Sequence, residues 1–195
     1  PLASWVLYQQ WGSADAWNQA GAWWRVYGTL IDLGTIALLA WLAHREGIQL
    51  FDLGSYARER WLRDVGIGLA LFVPIFLLTM MLPGTLSGIL VYGGSAPSDG
   101  PLPPAGLLYT LVVWPVIWAF AEDNAYFGYS LPRVEALTGR TWIAVVVVSL
   151  FATLQHAFLP FRLEGPYIVY RLVSSVLVIV VLCLVYVRQR RLLPI

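Results

Sequence analysis

Five long apolar runs constrain this chain most: Val26 to Ala43, Val65 to Leu82, Gly106 to about Leu137, Thr141 to Leu159 and Tyr167 to Val187. Each is long enough for a helix to cross a bilayer core of about 30 Å. In lipid the backbone must satisfy its own polar groups, so such runs fold as helices. Only 12% of the 195 residues are charged, about half the share of an average soluble domain. The expected fold is all-α: a polytopic membrane helical bundle with about five transmembrane helices, forming one domain over residues 1–195. No internal repeat of the kind that builds transporters is visible.

The basic residues orient the bundle. All are Arg; the chain has no Lys. Arg45, Arg58, Arg60, Arg63, Arg133, Arg140, Arg188, Arg190 and Arg191 flank one set of helix ends, and only Arg25 and Arg162 flank the other. This bias predicts that the first set faces the cytoplasm. The expected setting is an integral membrane protein of a bacterial inner (plasma) membrane. Net charge is +1, and no basic cluster is interleaved with aromatics, so no nucleic-acid partner is expected. The expected partners are the lipid bilayer and either a membrane protein complex or a membrane-bound peptide substrate. Cys183 is the lone cysteine, which excludes an intramolecular disulfide, and its apolar run predicts a buried thiol.

The connections are read from their composition. Residues 1–24 hold Trp5, Trp11, Trp17, Trp23 and Trp24, and read equally as an interfacial segment or a Trp-rich loop. No basic stretch leads into an apolar core here, so no signal peptide is expected. Residues 47–64 are expected to form a short amphipathic helix on the cytoplasmic surface, with Leu50, Phe51 and Leu53 turned to the membrane. A lipid-binding role or a plain solvated loop both fit it. Residues 83–105 read as a Gly-, Ser- and Pro-rich loop around the apolar piece Leu86 to Tyr92. Pro74 is an expected kink. Thr138-Gly139-Arg140 is an expected tight turn that closes a helical hairpin over residues 106–159.

Ionisable residues inside spans mark functional sites, because each costs about 2.5–3.5 kcal/mol to insert. The adjacent pair Glu122 and Asp123 stands in the third run, Asp32 in the first, His156 in the fourth and Arg171 in the fifth. Glu122 lies seventeen residues before Gly139 and His156 seventeen after it. In an antiparallel hairpin, equal offsets mean equal depth, here about 25 Å from the turn. A carboxylate and an imidazole at one level can activate a water. On the residues alone, a buried polar pair that merely pins two helices together is the better-supported reading. Arg171 falls near the depth of His156, which allows one polar layer of Glu122, His156 and Arg171. The competing expectation is that Arg171 snorkels to the outer interface. His44, at a membrane edge, is expected to be solvated.

The pair Glu122-Asp123, followed by Phe127-Gly128-Tyr129 and by the run Leu131 to Gly139, resembles the first motif of the CAAX protease and bacteriocin-processing (CPBP, or Abi) family of intramembrane endopeptidases. The stretch Leu150 to His156 is similar to its second motif. The resemblance implies a membrane peptidase in which Glu122 activates the attacking water and His156 assists, with Asp123 as the second motif carboxylate. Three departures accompany it. Asp123 replaces a Glu, Phe127 stands where the family has Arg, and Ala152 stands where it has Phe, although Phe151 is adjacent. The third family motif, a His with Asn or Asp four residues later, is absent, and Leu193-Pro194-Ile195 resembles the run just before it. With two of the expected polar groups left, no metal and no cofactor are expected, and the chain as it stands is expected to show no proteolysis. The alternative is a non-catalytic scaffold or accessory subunit of a membrane complex.

Overall fold

The apolar runs emerge as helices in a computed structural model that describes residues 2–56, 58–97, 100–160 and 162–193. Ser98 in the expected outer loop, and Pro194 and Ile195, lie outside the described residues. Two short helices, α1 (Leu2–Gln10) and α2 (Ala16–Gly21), precede five long ones. These are α3 (Trp24–Arg45), α4 (Trp61–Tyr92), α5 (Pro104–Thr138), α6 (Thr141–Phe158) and α7 (Gly165–Gln189). Among the described residues there is no strand. Length and apolar composition make all five long helices spans, so the chain is an integral membrane helical bundle.

Two connections differ from expectation. The piece Leu86 to Tyr92 is no part of a loop: it continues α4, which ends only at Gly93 in the left-handed region (φ 70°). The expected surface helix over residues 47–64 is instead two 3-10 turns, Leu50–Gly54 and Arg58–Arg60. Asp52 closes the first turn by accepting from the Gln49 N–H at 2.7 Å, and Ser55 ends it at φ 49°. Leu53 is buried, whereas Phe51 is exposed and packs on Phe120 at 5.6 Å.

The long helices contain wide, π-helical turns, and each has a visible cause. Phe76–Met81 precedes Leu82-Pro83, Tyr109–Val113 precedes Trp114-Pro115, and Asn124–Ser130 precedes Leu131-Pro132. A proline offers no N–H and its ring presses on the carbonyl one turn back. Widening that turn relieves the clash without ending the helix. Side chains help to satisfy the backbone there: Thr79 donates to the Ile75 carbonyl at 2.6 Å and Asn124 to the Phe120 carbonyl at 2.7 Å.

Small residues let α6 and α7 approach each other. Ala144, Val148, Ala152, Ile179 and Cys183 form a core with Phe127, Leu131 and Tyr186. Phe127, at the motif Arg position, is 3% exposed and stacks on Tyr186 at 6.2 Å. Gly139, at φ 65°, caps α5 as expected, its N–H donating to the Glu135 carbonyl at 2.8 Å. The Arg-rich end is more paired than a solvated rim would be. Arg133 bonds Glu46, Arg190 bonds Glu135 at 2.5 Å, and Arg191 clasps the fully buried Asp64 at 2.6 and 2.7 Å. Beyond α7 the chain folds back, and the Leu192 N–H donates to the Gly54 carbonyl at 3.1 Å.

Candidate functional site

The hairpin of α5 and α6 brings Glu122 and His156 together: Glu122 Oε2 lies 3.9 Å from His156 Nε2. Glu122 is 9% exposed, and the His156 side chain is 25% exposed, so the imidazole side is the accessible one. His156 Nδ1 is 2.9 Å from the Ala152 carbonyl. A carbonyl can only accept, so Nδ1 carries the hydrogen, and in the neutral ring Nε2 is left as an acceptor. Two acceptors, Nε2 and Oε2, therefore face each other.

Gln155 and Tyr126 complete the layer. The Gln155 amide donates to Glu122 Oε1, and the Tyr126 hydroxyl donates to Gln155 Oε1. The Trp118 indole, one turn before Glu122, approaches the same carboxylate. Asp32 is a further carboxylate on α3, which packs along α5 through the hydrogen bonds of Tyr109 to Thr29 and Tyr129 to Glu46. It is 5% exposed and makes no hydrogen bond or ion pair among the described residues. The sequence flagged Asp32 as needing a partner. Gln155 was visible only as the neighbour of His156.

Among the described residues neither Asp123 nor Arg171 hydrogen-bonds the side chains of this layer. Adjacent helical residues point about 100° apart, and the Asp123 charge acts on Tyr56, in the segment after the first 3-10 turn, as well as on Glu122. Burial raises the Tyr56 phenol, the Asn124 side chain opposes this, and the Asp123 charge adds to it. Arg171 shares the depth of His156 but bonds its backbone: Nε donates to the His156 carbonyl at 2.9 Å and Nη2 to the Leu159 carbonyl at 2.8 Å. It neither snorkels nor pairs with a carboxylate. It ties down the end of α6, where helical carbonyls lack partners. No three of His, Cys, Asp and Glu gather as metal ligands among the described residues.

Compared with family models, curated proteins and solved structures, the chain matches none.

Proposed function

We propose that the chain is a homologue of the CPBP intramembrane endopeptidases, set in a bacterial inner membrane with its Arg-rich end in the cytoplasm. In this reading Glu122 and His156 activate a water that hydrolyses a peptide bond near the membrane. One observation carries it: two hydrogen-bond acceptors 3.9 Å apart, on different helices, a spacing that one water can bridge. A water about 2.8 Å from both atoms subtends an angle of about 90°, which suits its two O–H donors. Glu122 then takes one proton as the oxygen attacks, and His156 orients the water. Gln155 keeps the carboxylate aimed by holding its other oxygen. The departures at Asp123 and Phe127 lead, on sequence, to an expectation of no proteolysis; the pairing of Glu122 with His156 supports instead a residual rate, below that of a member with the full motif.

The test is cleavage of a prenylated C-terminal peptide by protein reconstituted in liposomes. Glu122→Gln keeps the shape and the contact with Gln155 but removes the base, so cleavage should fall by about 10²-fold or more with the melting temperature little changed. No cleavage by the wild-type chain, or cleavage that survives E122Q, overturns the proposal. The scaffold reading draws on the chain of bonds from Tyr126 through Gln155 to Glu122, which joins α5 to α6 without any reaction. It predicts that Gln155→Leu lowers stability and that no variant at Glu122 alters a turnover.

A further inference from the structure

We propose that Tyr126 is a positioning residue: through Gln155 it decides which oxygen of Glu122 acts as the base. The inference rests on the peptidase reading above and adds to it the route of the proton. Tyr126 stands one turn after Glu122 on α5, on the same helical face. Its ring packs against the core that holds Phe127, Leu131 and Ala144, so the hydroxyl has a fixed place. Gln155 reaches across from α6 and bonds both residues. Its carbonyl oxygen accepts from Tyr126, and its amide nitrogen donates to Glu122. One side chain of α6 thus spans a full turn of α5.

The two ends of that amide are not interchangeable. A carboxylate can only accept, so the NH2 end must face Glu122. The carbonyl end then faces Tyr126, and the phenol must donate. With Phe at position 126 the half-buried carbonyl end loses its partner, and nothing holds the amide against turning over.

The consequence falls on Glu122. Its Oε1 already accepts from Gln155, while its Oε2 lies 3.9 Å from His156 Nε2. An oxygen that holds a donor is the poorer base, so the proton of the attacking water goes to Oε2, beside the imidazole. As the water oxygen bonds the peptide carbon, Oε2 takes the proton. As the C–N bond breaks, Oε2 returns it to the leaving nitrogen. The proton arrives and departs on one oxygen, next to the reacting atoms. An amide that turns over presents its carbonyl to Oε1 and accepts from a proton held there. Such a proton points at Gln155 and away from the peptide nitrogen. The Tyr126 hydroxyl closes that route.

Two measurements test this together: steady-state cleavage of the prenylated peptide in liposomes, and the 15N–1H spectrum of protein labelled at its glutamine side chains in bicelles. In Tyr126→Phe, kcat should fall about tenfold with KM within about twofold, since aim is lost and no binding contact is. Tyr129→Phe removes a hydroxyl that bonds Glu46 at 2.9 Å, and it should cleave like wild type. The Gln155 amide, assigned by its loss in Gln155→Leu, should give one sharp pair in wild type, with one proton shifted downfield by the bond to a carboxylate. In Y126F that pair should lose its shift and broaden as the amide turns over. A purely structural tie predicts a lower melting temperature with kcat per folded molecule unchanged. That result, or an unchanged Gln155 signal in Y126F, overturns the assignment. If Y126F fails to fold, E122Q decides: removing the charge should move the Gln155 signal upfield, and an unmoved signal overturns the assignment. A wild-type chain that cleaves nothing refutes the peptidase reading, and the spectra still decide whether Tyr126 sets the amide.

Discussion

Replacing Arg171 by Leu tests whether the guanidinium secures the end of α6 or belongs to a polar layer with Glu122. Its two bonds, at 2.9 and 2.8 Å, go to the carbonyls of His156 and Leu159. Interhelical polar contacts in membranes average about 0.6 kcal/mol and reach about 1.7. Charge on the donor places these two toward the upper value, so R171L should lose about 2–3 kcal/mol. Unfolding by a denaturing detergent in bicelles measures it, and hydrogen exchange over residues 156–160 should quicken in the same variant. Glu122 touches neither bond, so the losses in R171L and E122Q should add to within about 0.5 kcal/mol in the double variant. A loss below about 0.5 kcal/mol, or a loss that shrinks sharply in the E122Q background, refutes the reasoning.

Arg191→Ala leaves the fully buried Asp64 carboxylate without its partner and should destabilise by about 3–5 kcal/mol, while Asp64→Asn with Arg191→Met should recover most of it in the same unfolding assay. Gly128→Ala would set a methyl 2.8 Å from the Leu53 carbonyl oxygen, so a loss of about 1–3 kcal/mol is expected, and none would show that the segment gives way. Bonds from Arg133 and then Tyr129 hold Glu46 below its ordinary value of 4.5. The folded state therefore binds this proton less readily than the unfolded chain; the stabilisation is complete above about 4.5 and is lost as pH falls through the folded value. Melting should drop in acid in the wild type, and the part due to this contact should be missing in Glu46→Gln.

The spans were legible because lipid leaves a 20-residue apolar run little choice but a helix. The depth match of Glu122 and His156 was legible too, because Gly139 fixes the origin from which both helices are counted. Counting failed where side-chain direction mattered. Arg171 was placed at the right depth, yet depth says nothing of whether a guanidinium meets a carboxylate or a carbonyl. Asp123 was grouped with Glu122 by adjacency, although neighbours on a helix diverge. Leu86 to Tyr92 was read as loop because Pro83 and Gly84 break most helices, and the π turn ahead of them absorbs the break. The packing of α3 on α5 was not legible either, because one sequence does not state which helices are neighbours.

The hairpin that carries the site is lopsided. From the shared turn, α5 has 35 residues and α6 only 18, or about 52 Å against about 27 Å. The shorter helix spans only with the bilayer drawn in by a few ångströms from a core of about 30 Å, and it stops two residues after His156. A bilayer meets such hydrophobic mismatch by thinning locally. Headgroups and water are then drawn down over the end of α6, onto the exposed side of the imidazole. Acyl-chain length becomes a control on the site: short lipids wet it, and long lipids seal it.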